Sequence, residues 1–247
     1  MCSCYLYCIT DSMDTADAGL KGIMGSDLKT YACGKYNFLY SRIDKHCVYR
    51  ELKSLKIHNN ISLAAMESGT VLPFRYGTFV KDPADMEELQ QNMNTQLAEH
   101  FEFLKGRLET GIKVFGSIKQ EEIELDGTRP AIERLNAVKS ISEPVNFLLN
   151  KVKAIYSERE RVEFIASLSN EMFSHLATLV CDRHVKYGLN DGLLINGAFL
   201  IQKESFADFK SLFVEMKKKY PQYSLIFSGP WPPYNFVNIR KEGEDNE

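Results

Sequence analysis

Apolar residues recur along this chain at two periods, and the change from one to the other marks the elements. Cys4-Tyr5-Leu6-Tyr7-Cys8-Ile9 is an apolar, aromatic-rich run that stops at Thr10-Asp11-Ser12, which predicts a strand buried on both faces. Lys29 to Cys33 and Tyr36 to Ser41 flank Gly34-Lys35, and Tyr36, Phe38 and Tyr40 alternate with other residues, as a hairpin with one packed face requires. From His46 to Ile57, Val48, Leu52 and Leu55 share a helical stripe. Ile61, Ala64, Ala65 and Ser68 then predict a second short helix that stops in a left-handed cap at Gly69. Thr70 to Val80 reads as extended chain that Pro73 restricts to a sheet edge or bulge. Asp82-Pro83 predicts the start of a long helix, with Met86, Leu89, Met93, Leu97, Phe101, Leu104 and Leu108 on its buried stripe.

The second half opens with a predicted strand at Gly111 to Gly116, followed by a polar stretch from Lys119 to Arg129. Pro144 falls in the first turn of a helix whose stripe runs from Val145 to Leu179. That helix would be roughly 55 Å long if unbroken, with a kink or break expected near Ser157 to Arg161. His184 to Leu189 and Leu193 to Ile201 flank Asn190-Asp191-Gly192, residues that tolerate the positive φ of a hairpin turn. Ser205-x-x-Asp208 introduces a helix with Phe206, Phe209, Phe213, Met216 and Tyr220 inward, and Tyr223 to Phe227 supplies the last strand. Strand, helix, strand, strand, helix, strand is the split-βαβ order of ferredoxin-like domains. The expected fold class is therefore α+β in two domains: a mixed N-terminal domain over residues 1–109 and a modified ferredoxin-like βαββαβ domain over 110–238. Residues 239–247 are expected to form a flexible acidic tail.

Composition narrows the function classes. With 30 basic against 33 acidic residues, the net charge of −3 is too balanced to draw the chain onto nucleic acid or an anionic membrane. The longest apolar run, Leu193 to Ile201, is about half the roughly 20 residues of a membrane span. Met1-Cys2-Ser3-Cys4-Tyr5 lacks the basic and long apolar segments of a secretory signal, so a cytoplasmic protein with reduced cysteines is expected.

Catalytic patterns are weak throughout. His46, His58, His100, His175 and His184 include no i,i+4 pair, and Cys2-x-Cys4-x3-Cys8 has no second cysteine pair at finger spacing. Gly19-x-x-Gly22-x-x-Gly25 has no following Lys-Ser/Thr and reads as a flexible turn. Cys47, beside His46 near a helix start, is the one thiol whose position could activate it. The expectation is no catalytic residue, no metal and no cofactor.

Two segments stand apart from plain core: Val71-Leu72-Pro73-Phe74-Arg75-Tyr76-Gly77-Thr78 and Ser228-Gly229-Pro230-Trp231-Pro232-Pro233-Tyr234-Asn235-Phe236-Val237. Three prolines stiffen the second, which carries the only tryptophan of the chain. One reading has these segments sealing a sheet or domain junction. The other makes them a rigid aromatic contact surface, since Trp, Tyr and Arg are favoured interface anchors.

Together with Tyr5-Leu6-Tyr7 and Gly111-Ile112-Lys113-Val114, the two segments resemble the gas vesicle protein F/L family in order and approximate spacing across nearly the whole chain. The resemblance implies an α+β N-terminal domain, a modified ferredoxin-like C-terminal domain, no enzymatic activity and no cofactor. It also implies an accessory or minor structural role in gas vesicles, in the cytoplasm and on the vesicle, including the inner, gas-facing side of its wall. The implied partners are the small hydrophobic gas vesicle shell protein and other accessory proteins. The candidate interface residues are Leu72, Pro73, Arg75, Gly77, Gly229, Pro230, Trp231, Pro232, Pro233, Tyr234 and Phe236. A ligand-binding regulatory protein is the alternative, because a ferredoxin-like fold does not fix function.

Overall fold

The computed structural model describes residues 2–12, 19–44, 51–118, 143–188 and 192–237. It is α+β, with two antiparallel sheets. The first sheet is built from β1 (Cys2–Thr10), β2 (Lys29–Cys33), β3 (Tyr36–Asp44), β4 (Val71–Pro73) and β5 (Phe79–Val80). Its strand order is β2-β3-β1-β4, and β5 also pairs with β1. Residues 4–10 of β1 are all buried, as an apolar run without alternation requires.

The β2–β3 hairpin forms in the expected register, with Cys33 opposite Tyr36. Its second arm does not have one packed face: Asn37, Leu39 and Ser41 are buried along with Tyr36, Phe38 and Tyr40. β3 lies inside the sheet between β2 and β1, and Tyr36 stacks on Phe101 with ring centroids 4.5 Å apart. A central strand covered on both faces has no solvent side to alternate with.

The edge opposite β2 is interrupted. β4 pairs with Cys8–Thr10 and β5 with Cys4–Tyr5, while the chain between them, residues 74–78, leaves the ladder. The loop is pinned at both roots, where Phe74 N–H donates to Tyr7 O (2.9 Å) and Leu6 N–H donates to Thr78 O (3.0 Å). β1 itself is irregular between Leu6 and Cys8, so the loop springs from a bulged part of its partner.

A single helix, α1 (Leu52–Ser68), replaces the two short helices expected between His46 and Ser68. It buries His58, Ile61, Ser62, Ala65 and Met66, whereas Leu52 and Leu55 are 69% and 40% exposed, so the expected stripe through them is not the inward one. Gly69 is not a left-handed cap: its φ is −168°, extended backbone open to any residue. A side chain there would instead collide with Asp11 and Ser12. The long helix expected after Asp82-Pro83 is two, α2 (Ala84–Asn92) and α3 (Asn94–Leu104), separated at Met93 where φ/ψ is −123°/13°. Asn92 and Asn94 flank the break, and asparagine side chains compete with helical backbone bonds. The inward positions Met86, Met93, Leu97, Phe101 and Leu104 are buried as expected, but Leu108 belongs to the next strand.

The remaining elements are β6 (Arg107–Phe115), α4 (Glu143–Phe173), β7 (Val180–Tyr187), β8 (Leu193–Gln202), α5 (Phe206–Lys219) and β9 (Ser224–Trp231), and the second sheet has the order β7-β8-β6-β9. α4 runs 31 residues, about 46 Å, without the expected break. The polar stretch there carries intrahelical ion pairs, Arg159–Glu163 at 2.9 Å and Arg161–Glu158 at 3.4 Å, which support the helix through it. The helix ends before Leu176, which lies in a 3-10 turn, and β7 starts four residues earlier than the expected His184. Lys119 to Arg129, His46-Cys47, Asn190-Asp191 and the acidic tail lie outside the described residues.

The chain falls into two compact units, residues 1–110, 199–206 and 228–247 in one and 111–198 and 207–227 in the other. The closing segment from Ser228 thus groups with the N-terminal residues, where the sequence assigned it to the domain over 110–238.

Candidate partner-binding site

The two proline-and-aromatic segments both lie in the first unit, and His58 of α1 is the side chain they share. Its Nε2 lies 3.0 Å from Phe74 O and its Nδ1 2.8 Å from the Tyr5 hydroxyl. A carbonyl can only accept, so Nε2 carries the proton and Nδ1 accepts from Tyr5. The Tyr5 oxygen in turn accepts the Gly77 N–H at 3.2 Å. A helix histidine and a strand tyrosine therefore hold both ends of the loop at 74–77. The His58 ring also lies near Tyr76 and Tyr234, with centroids 5.7 and 6.1 Å away, joining the loop to the closing segment.

Burial sets the charge of this cluster. Desolvation depresses the His58 pKa to about 4, so the imidazole is neutral, as its accepting Nδ1 requires. Burial likewise pushes the Tyr5 and Tyr234 phenols above their ordinary range and the Cys8 thiol up to about 12, leaving all three protonated. The Cys4 and Cys33 thiols are also raised by burial, so none of these three cysteines offers a thiolate near neutral pH. Among the described residues, no group of three or more His, Cys, Asp or Glu is placed to hold a metal. No described helix is long and apolar enough to cross a membrane.

The closing segment is anchored differently. Glu109, 5% exposed, accepts the Asn235 N–H at 2.9 Å and the Asn235 side-chain amide at 2.6 Å. Gly229 has φ +119°, and a Cβ there would lie 3.1 Å from Glu109 O. The Gly229-Pro230 peptide is cis. Pro232, Pro233 and Phe236 are buried, while Pro230 and Trp231 reach solvent.

The outward residues converge on one apolar groove of about 730 Å³. Its lining includes Leu52, Leu55, Lys56 and Leu63 of α1, Arg75 and Tyr76 of the loop, and Trp231 and Tyr234 of the closing segment. The sequence-identified residues therefore divide. Arg75, Trp231 and Tyr234 line the groove; Leu72, Pro73, Pro232, Pro233 and Phe236 are core; Gly77 and Gly229 shape the backbone that carries the others.

The family described as "Gas vesicle synthesis protein GvpL/GvpF" matches residues 3–238. The chain belongs to that family. It is 23% identical to gas vesicle protein F1 of Halobacterium salinarum, over 98% of this chain and 96% of the relative. It is also 23% identical to gas vesicle protein F of a Nostoc species, over 95% and 98%. The crystal structure of GvpF from an Anabaena species superposes over 100% of both chains with a TM-score of 0.75 at 20% identity. That of GvpF from Microcystis aeruginosa covers 96% of this chain and 99% of its own, with a TM-score of 0.75 at 22% identity. At these identities the structures establish a shared fold.

Within this GvpL/GvpF fold the sequence motifs were legible, but the side chain that organises them was not. By sequence pattern His58 offers only a metal-ligand reading without a partner at i,i+4. Its position in the spacing His58, Ile61, Ser62, Ala65 is the signal that places it on the buried face of α1.

Proposed function

We propose that this chain is a non-enzymatic accessory or minor structural protein of gas vesicle assembly that binds the hydrophobic shell protein and other accessory proteins. Family membership supports the assembly role. The observation that carries the binding reading is the groove: an accessible apolar surface holding Trp231, Tyr76 and Arg75, residue types that anchor protein interfaces, on a scaffold fixed from beneath by His58, Tyr5 and Glu109. The neutral, buried state of the ionisable groups around it fits contact better than proton transfer or nucleophilic attack. A ferredoxin-like arrangement of the second half accords with its element order and with the strand order β7-β8-β6-β9. We place the protein in the cytoplasm and on the vesicle, including the gas-facing side of the wall. Gentle co-purification with a gas vesicle shell protein tests this. Association is expected; no association, together with normal vesicles in a deletion strain, would sink it.

A further inference from the structure

The geometry points to one kind of occupant for the groove: an amphipathic helix of about three turns whose apolar face is bordered by carboxylates. This deepens the assembly reading and rests on it. The wall formed by α1 presents Leu52, Leu55, Lys56, Asn59 and Leu63, the last four spaced 3, 4, 7 and 11 residues from the first, which is a single stripe along one helix face, with His58 and Asn60 to its sides. That stripe spans about 16 Å, the length of three helical turns. The opposite wall is side chains of a loop and of the closing segment. Apart from Trp231, the last residue of β9, no lining residue belongs to a strand, so an extended peptide would find no ladder to join and a helix would find side chains to pack against.

Charge selects among helices. The lining holds two cations, Lys56 and Arg75, and no carboxylate. Arg75 is exposed and, among the described residues, makes no ion pair. With Leu52, Leu55 and Trp231 exposed in the same lining as these cations, an apolar helix edged with Glu or Asp would satisfy both the apolar surface and the charges, whereas a lysine-edged helix would meet like charge.

Trp231 is the only tryptophan of the chain, so its emission reports occupancy of the groove. The probe is a synthetic 18-residue helix with a leucine face and glutamate borders, compared with the same peptide bearing lysine borders. The glutamate peptide is expected to blue-shift the emission of the full chain and to bind at least 10-fold more tightly. Lys56→Glu with Arg75→Glu, both at exposed positions, should reverse the preference. Equal binding of the two peptides, or no shift with either, would overturn the proposal. A parallel co-purification separates the two readings. Shell protein retained equally by wild type and by the Leu55→Glu and charge-reversed variants, all with unchanged melting, removes the groove and leaves the assembly role. Shell protein not retained by wild type, together with normal vesicles in a deletion strain, removes both.

Discussion

The loop at 74–78 and the segment at 229–236 contribute neighbouring walls to one groove, yet they are held by opposite chemistry. The loop hangs on neutral donors and acceptors, His58, Tyr5 and Gly77, aligned in one relay. The closing segment is held by the buried Glu109 carboxyl group, which accepts twice from Asn235, and by a tight backbone approach at Gly229 that would put a side chain 3.1 Å from Glu109 O. An aromatic surface can thus be made rigid either by hydrogen bonds that need an uncharged histidine or by a steric seat. The two should fail under different insults.

The sharpest contrast is between the two glycines. Gly229→Ala adds a strained φ to a contact with Glu109 O and should cost roughly 2–4 kcal/mol in chemical denaturation. Gly77→Ala has φ +87° but open space around it and should cost only about 1 kcal/mol. Equal losses would erase the distinction between a seated and a tethered segment.

Acid distinguishes the two next. His58 binds a proton in the unfolded chain below about pH 6.5, but in the folded protein only below about pH 4. Between those values the unfolded state holds more protons, so this contribution to stability is fully present above the window and falls as pH drops through it, by about 3 kcal/mol in all. A His58→Gln variant should show a shallower loss over that range in urea melts; an unchanged slope would remove His58 as the source.

Asn235→Ala should cost about 1–2 kcal/mol, because it removes the side-chain amide donor to the buried Glu109 and leaves the backbone N–H of residue 235 in place. At the small end, Arg75→Ala should change stability by less than about 0.5 kcal/mol, since the side chain is exposed.

Much of this fold was legible from period and punctuation. β1, the β2–β3 hairpin and the inward face of α5 follow directly from the sequence. Errors arose where tertiary context overrode local pattern. Leu52 and Leu55 look like core by spacing, but the buried face of α1 is set by its packing through Ile61 and Ala65. The run expected as one helix from Met86 to Leu104 keeps its inward positions across the break at Met93, so periodicity alone could not reveal it. For the site, Trp231 and Arg75 stood out by type, but their convergence on one groove joins segments more than 150 residues apart in sequence, which no local signal encodes.

Complementation of a strain lacking its own copy of this gene, with Arg75→Ala combined with Trp231→Ala, asks whether vesicle assembly needs the groove. The variant is expected to accumulate as folded protein, melt close to wild type and restore few or no gas vesicles. Wild-type vesicle number and shape from that variant would contradict that requirement.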